Sequence, residues 1–491
     1  MRQLSGQDAS FIYQEQPHAP LNGASLNIYD QSTARGGRVT FRGILQDIER
    51  RLHLAPVLRE RLVRVPMDLD HPYWVRDREF DLEFHVRHLA LPEPGDWRQL
   101  CIQAARLHAR PIDMTRPPWE LYVIEGVDGI PDVPAGSYAM LMKTHHAAID
   151  GASGKELTAV LHDLDPRAEP PAPTEEWHGE DVPESWELLA KAGANNAMRM
   201  ARFAPSPWSP LGFERSQPPR SFSPPAVPPR TRFNGSVSSH RVFDSIVVPF
   251  EGMRATRRAV PGATINDVVL TVVGGALRRY LLSKDELPAI PLVAMIPVSV
   301  RNPEETSVDG NKVAAMTAAL GTHITDPIER LAAIYEATKQ AKAALNAMGA
   351  RRMMEIAEVM PGALVALAAR QISESGAANF AHPNYNTVVT NVPGPEHALY
   401  SLGAKLVRPY GLSLVHDGMG LMHCAQTYLG EMYLSFTACR TMLPDPALYA
   451  EFLRDAHDEL VSAAAPMDAG TKRPARSAKR TQSTKRVAGK N

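Results

Sequence analysis

The sequence predicts an α/β fold of the α+β type, built in two halves that are joined by a proline-rich crossover. Three observations carry that expectation. Period-two alternation and 3.6-residue apolar spacing both recur on each side of the chain's middle. At 491 residues the chain exceeds one typical domain and is long enough for two cores. Between residues 166 and 229 it places 14 of its 42 prolines, too many for continuous core structure. The expected organisation is a first half over 1–165, a crossover over 166–230, a second half over 231–466 and a tail over 467–491.

In chain order, residues 1–30 hold Leu4-Ser5-x-x-Asp8-x-x-Phe11 and then a strand over 23–29. Thr40 is placed to cap a helix whose apolar residues Phe41, Ile44, Leu45, Ile48 and Leu52 share one face. A second helix is expected over 97–108, stopping before Pro111. Arg116-Pro117-Pro118-Trp119 leads into an apolar strand over 121–124, which pairs with a buried strand over 137–142 across the turn region 126–136. Helical spacing resumes over 154–164. Inside the crossover, residues 183–203 have no internal proline and carry Trp186, Leu188, Leu189, Met198, Met200 and Phe203 among basic residues. An amphipathic helix is expected there, lying on a membrane surface or packed on the junction between the halves.

The second half begins near Thr231. Thr264 starts a helix with Asp267 at the third helical position, as in a capping box, and Asn266 sits beside it in the first turn. A strand over 293–301 follows, then a helix from Pro327 capped by Asp326. Met353, Met354 and Met360 fall on a further helical stretch, as core filling with lipid contact the alternative. Strands are expected over 386–391, 413–416, 421–429 and 432–437, with a last helix over 446–464. From Thr471 onward there are eight Lys or Arg and no acid, so the preceding 470 residues carry 45 basic against 54 acidic side chains. The tail, almost without apolar residues, is expected to be disordered.

Three scattered cysteines, Cys101, Cys424 and Cys439, make no disulfide framework and fit a reducing cytosol. The N-terminus has no apolar h-region and no apolar run reaches the length of a membrane span. A soluble or peripheral protein is expected, without a nucleic-acid partner.

The chemistry concentrates in Lys143-Thr144-His145-His146-Ala147-Ala148-Ile149-Asp150-Gly151, at the end of the strand over 137–142. Adjacent strand residues face opposite ways, so one histidine is chemical and the other structural. An imidazole accepts and returns a proton near neutral pH, which suits a general base for a hydroxyl or thiol. Asp150 and Gly151 supply a carboxylate and a turn able to hold the loop. A metal site competes poorly, because two neighbouring histidines lack the spacing of a ligating helix face and no cysteine lies near. A pair of core histidines before an ordinary Asp-Gly turn is the bland alternative.

His145-His146-x-x-x-Asp150-Gly151 resembles the signature of the CoA-dependent acyltransferase superfamily. Four more stretches are similar to elements of the bacterial wax ester synthase/diacylglycerol acyltransferase family, in that family's order: Pro117-Pro118-Trp119-Glu120, Asn266-Asp267-Val268-Val269-Leu270, Pro297-Val298-Ser299-Val300-Arg301 and Thr390-Asn391-Val392-Pro393-Gly394-Pro395. Pro118 stands for the family's usual Leu and Thr390 for its usual Ser. The resemblance spans residues 1 to about 466. The plant branch's late Asp-Phe-Gly-Trp-Gly element is absent and no carrier domain follows.

The resemblance implies two chloramphenicol-acetyltransferase-like halves, each a mixed sheet with flanking helices, around a channel open to CoA at one end and lipid at the other. It implies acyl transfer from acyl-CoA to diacylglycerol or a long-chain fatty alcohol, with acyl-CoA a substrate and no cofactor or metal. His146 would be the general base and His145 its support, with Gly151 in the loop. Asp150 would be structural and paired with an Arg, for which Arg301 is the candidate. Asn266 would serve as oxyanion donor while Asp267 stabilises its helix. Asn391, Pro393 and Gly394 would form a rigid turn bounding the channel, and Trp119 would pack. The implied location is cytoplasmic, at the inner membrane face or lipid droplets. The rival readings are a stand-alone condensation-type enzyme with a carrier-bound donor and an inactive lipid-surface binding protein.

Overall fold

Two six-stranded mixed sheets organise the chain, and the first is completed by strands from late in the sequence. The structure is a computed structural model that describes residues 1–148, 157–158, 160–172, 176–203, 227–299, 313–348 and 362–465. The strands before the crossover are β1 (Arg2–Gln3), β2 (Asn22–Asp30), β3 (Glu60–Val63), β4 (Tyr73–Arg76), β5 (Val86–Ala90), β6 (Trp119–Glu125) and β7 (Tyr138–His145). Those after it are β8 (Arg241–Pro249), β9 (Val293–Ser299), β10 (Val313–Ala319), β11 (Thr387–Val392), β12 (Tyr400–Ser401), β13 (Ala404–Leu412), β14 (Leu421–Tyr428) and β15 (Glu431–Cys439). The helices are α1 (Gly6–Gln14), α2 (Phe41–Arg51), α3 (Leu82–His85), α4 (Trp97–His108), α5 (Ser185–Phe203), α6 (Phe250–Thr256), α7 (Ile265–Ser283), α8 (Pro327–Met348), α9 (Gly362–Glu374) and α10 (Pro446–Ala464).

Capping residues set several of these helices. Thr40 Oγ1 accepts from Gly43 N at 3.1 Å to start α2. At α4, Asp96 and Gln99 form a reciprocal capping box. Asp326 Oδ1 accepts from the amides of Ile328 and Glu329 at the start of α8. Pro446 opens α10, where its missing N–H costs nothing.

The second sheet runs β10-β9-β11-β14-β15-β8, with β11 parallel to both β9 and β14. The first sheet runs β12-β13-β2-β7-β6-β5. Its strand β13 pairs antiparallel with β2, Tyr410 opposite Leu26 and Leu412 opposite Ala24. The strand expected over 413–416 is therefore displaced to Ala404–Leu412. Pro409 and Gly411 hide it, since both are poor strand residues. They are tolerated because the pairing on that edge, β12 on Ala404 and Lys405 and Leu399 O on Leu406 N, stops short of Pro409 and Gly411.

The shared strand locks the two cores together. The first buries Tyr29, Leu121 and Leu141 of its own strands and also Phe243, Tyr410 and Tyr433 from beyond the crossover. Tyr410 makes the seam: its ring centroid lies 4.7 Å from Trp97, 5.5 Å from Tyr433 and 6.4 Å from Phe243. Each such pair contributes about 0.5–1.5 kcal/mol beyond area burial.

The crossover helix α5 packs neither on the junction nor free. It buries Leu188 and Ala192 against Val65 and Tyr73 beside the small sheet β1-β4-β3. Asn195 Nδ2 donates to Asp70 Oδ2 at 2.7 Å and ties the helix to the first half. Its other face leaves Trp186 69% and Met198 55% exposed. Among the described residues no helix is long and apolar enough to cross a membrane. Met353, Met354, Met360 and the basic tail lie outside the described residues.

Candidate active site

Strand β7 delivers both histidines. His145 is its last residue and His146 opens a short 3-10 turn, His146–Ala148, so the change of backbone falls between them. The main chain is pinned on both sides: His145 N donates to Pro118 O and His146 N to Leu21 O, each at 2.9 Å.

His145 is fully enclosed. Its Nδ1 accepts from Ala147 N at 3.1 Å, which puts the proton of the neutral ring on Nε2. That nitrogen faces Glu15 Oε1 at 3.5 Å, close enough for a charge interaction but outside hydrogen-bond geometry. Glu15 is itself held by Leu21 N at 3.1 Å. His145 thus braces the loop.

His146 is placed differently. Its ring stacks on Phe11, with centroids 4.5 Å apart and planes 18° from parallel. Among the described residues Nδ1 is buried without a hydrogen-bond partner, yet the residue as a whole remains partly accessible. Burial, reinforced by neighbouring His145 and opposed by the residue's own backbone, pushes its pKa down to about 4. At neutral pH the ring is uncharged and able to take a proton.

Sequence reasoning passed over Phe11 and Glu15 as site residues. The signal was present in Ser5-x-x-Asp8: Ser5 Oγ accepts from Asp8 N at 3.1 Å and starts α1, which carries Phe11 to the histidine loop. A buried ion pair lies on the same strand. Lys143 Nζ sits 3.0 Å from Glu120 Oε2, directly across from it in the register of β6 and β7. Burial alone would raise the Glu120 carboxyl, but Lys143 and Arg87 outweigh it and hold it below the usual range.

The other expected residues fall at several places. Asp267 is fully buried in a capping box with Thr264, whose N lies 2.7 Å from Oδ2, while Oδ1 accepts from Thr338 Oγ1 at 2.7 Å. It organises α7 and α8. Asn266, one residue earlier, is half-buried, and among the described residues no hydrogen bond links it to either histidine. Trp119 is core: its indole N donates to Leu58 O at 2.8 Å and its ring stacks on His85 at 4.6 Å. Asn391 lies near the end of β11, and Pro393 and Gly394 follow it. Gly394 N donates to Thr427 Oγ1 at 3.1 Å, and a Cβ at Gly394 would meet Thr427 O at 1.8 Å, so no other residue fits that approach. Asp150, Gly151 and Arg301 lie outside the described residues. Among the described residues no cluster of His, Cys, Asp or Glu could hold a metal.

A His-His loop at the end of a mixed sheet completed by a strand from beyond the crossover, together with a second mixed sheet, defines the chloramphenicol-acetyltransferase-like class of acyltransferases. The first condensation domain of the calcium-dependent antibiotic synthetase has this fold, with a TM-score of 0.52 and 14% identity over 95% of this chain and 97% of that one. The wax ester synthase/diacylglycerol acyltransferase from Marinobacter aquaeolei VT8 is nearer in fold, with a TM-score of 0.66 and 24% identity over 94% of this chain and all of that one. Residues 4–269 match the wax ester synthase/diacylglycerol acyltransferase catalytic domain and residues 309–461 the C-terminal domain of the same family. A Mycobacterium tuberculosis protein that carries the name of a diacylglycerol O-acyltransferase is 32% identical over 465 residues, covering 94% of this chain and 90% of its own. The chain belongs to the wax ester synthase/diacylglycerol acyltransferase family.

Proposed function

We propose that the protein transfers a long-chain acyl group from acyl-CoA to the free hydroxyl of diacylglycerol, forming triacylglycerol, and to long-chain fatty alcohols, forming wax esters. The observation that carries this reading is the state of His146, a ring neutral at pH 7, enclosed yet accessible, with Nδ1 turned into the protein. Nε2 is then the nitrogen available to the acceptor. It takes the hydroxyl proton as the oxygen attacks the thioester carbon, and it gives that proton to the CoA sulfur as the C–S bond breaks. No covalent enzyme intermediate is required.

Asn266 supplies an amide toward the oxyanion from the first turn of α7. Asp150 and Arg301 form the pair that holds the histidine loop, and Gly151 gives the loop its turn. Asn391, Pro393 and Gly394 bound the channel. The protein works from the cytoplasm at the inner membrane face or a lipid droplet, where the basic tail meets anionic lipid and the exposed Trp186 and Met198 of α5 meet the apolar layer.

Purified protein given palmitoyl-CoA with diacylglycerol or hexadecanol should release CoA and form the matching ester. Absence of CoA release with both acceptors would overturn the reading and leave a lipid-binding protein. Ester formation from a carrier-bound donor alone would reassign the chain to condensation-type chemistry.

A further inference from the structure

Loop 15–21, between α1 and β2, lies in the first half by sequence but buries two side chains among residues from beyond the crossover. Ala19 is 2% exposed within the second core, and Leu21 packs with Val388, Leu414 and Met419. His18, just before Ala19, is held at two points. Arg241, the first residue of β8, donates from Nη2 to His18 O at 2.9 Å. Asp417, between β13 and β14, faces the His18 ring, with Oδ2 3.2 Å from Nε2. A carboxylate only accepts, so Nε2 carries the proton.

Both holders are themselves fixed. Asp417 Oδ1 accepts from Val237 N and Oδ2 from Ser373 Oγ of α9, each at 2.8 Å. Its turn is closed by Met419 N donating to His416 O at 2.8 Å and anchored by Gly418 N donating to Gly235 O at 2.8 Å. Arg241 is 7% exposed and also donates to the main-chain oxygens of Ser238 and His240.

An ion pair as open as this one, with side chains 34% and 11% exposed, adds little stability by itself. What it controls is where the loop sits. Pro17 and Pro20 flank His18 and Ala19 with fixed φ, and Ala19 N donates to Gln16 O at 2.9 Å, so the segment moves as a stiff piece. From there the path to the histidines is short. Leu21 O accepts from His146 N at 2.9 Å, and Leu21 N donates to Glu15 Oε1, the atom that faces His145 at 3.5 Å. Ser373 gives the Asp417 turn a second route, because Ala366 of the same helix packs against the cluster of Ala147 and Ala148. Phe11, whose ring stacks on His146, packs there too.

We propose that His18 is a positioning residue, the handle by which Asp417 of the second half sets the place of His146; the role rests on His146 being the base of acyl transfer.

The test compares the full-length protein with His18→Ala and His18→Gln. Asp417 keeps Val237 N and Ser373 Oγ in both variants, so both should fold with urea midpoints close to wild type. Alanine removes the ring contact, whereas the glutamine amide can donate to Asp417 in place of Nε2. Arg241 still holds the main chain, so the loss is partial. His18→Ala should lower kcat about tenfold with KM for palmitoyl-CoA and hexadecanol nearly unchanged, and His18→Gln should regain most of that loss. Isotope-labelled histidine gives a readout without turnover: the His146 ring-carbon resonance, assigned by its absence from His146→Ala, should move in His18→Ala and return in His18→Gln. A resonance that moves and returns in a protein that turns over neither diacylglycerol nor hexadecanol would sustain the handle and refute acyl transfer. An unmoved resonance, a kcat of His18→Ala equal to that of an active wild type, or a loss that glutamine does not repair overturns the proposal.

Discussion

Two histidines, one on β14 of the second sheet and one in the turn that follows β7 of the first, show how different the same side chain can be made. His423 on β14 is fully enclosed and has both ring nitrogens occupied, by Thr387 Oγ1 at 3.1 Å and Tyr449 OH at 2.8 Å. His146 has a stacked phenyl ring on one side, a partly accessible surface and, among the described residues, no partner for Nδ1. Burial depresses both, His423 to about 3 and His146 to about 4. Titration alone therefore does not separate core from reagent. Access separates this pair: His423 is fully enclosed, whereas His146 keeps a partly accessible surface.

The sharpest break in this comparison is His146→Ala. It should lower kcat by about 10²–10⁴-fold, the range typical of a lost general base, with the urea midpoint nearly unchanged. Wild-type turnover in that variant would remove the mechanism. Next come Asp150→Ala and Arg301→Ala, each expected to cost about 3–5 kcal/mol of stability if the two form a buried pair, with little more lost in the double variant. Additive losses in a double-mutant cycle would dissolve the pair. The reverse pattern is expected of His423→Leu, which takes away the Tyr449 hydroxyl's ring partner while Thr387 Oγ1 keeps Leu421 O, and it should cost about 1–3 kcal/mol while leaving kcat close to wild type in the folded fraction.

Acid sharpens the point. His108 and His423 sit near 3 when folded, against about 6.5 in the unfolded chain. Between those values the unfolded state binds more protons, so their contribution is complete above about pH 6.5 and is lost as pH falls toward 3, by up to about 1.4 kcal/mol per pH unit for each ring. Urea titrations at stepped pH should show that slope, and His423→Leu should shrink it by one ring's share. The smallest expected effect is Phe11→Ala, which removes a stack worth about 0.5–1.5 kcal/mol and should raise the pKa of His146, moving the acid limb of kcat/KM upward. An unmoved acid limb would show that Phe11 does not help desolvate the histidine.

Elements written in local chemistry were legible in the sequence. Thr40, the Thr264–Asp267 box and Asp326 each cap the helix they were expected to cap. The limits of α4 and α10 follow from Pro111 and Pro446. The adjacency of His145 and His146 also foretold that they would be placed differently, one fully enclosed and the other partly accessible. What escaped depends on partners far away in the chain. Phe11 reaches His146 across 135 positions, and β13 shows its role only once β2 is known to lie beside it. The face chosen by α5 likewise depended on Val65 and Tyr73, which nothing in residues 183–203 announces.

Strand β13 also fixes an order of events during synthesis. Until Leu412 has left the ribosome, β2 has no neighbour on one side, although β7, its partner on the other, is made early. At about 5–20 residues per second the wait from Asp30 to Ala404 lasts roughly 20–75 s. During that time the nascent chain carries an open edge able to pair with another copy of itself. Ribosome-bound chains ending near residue 399 should therefore be the ones most avidly held by chaperones, and release should follow completion of residues 404–412.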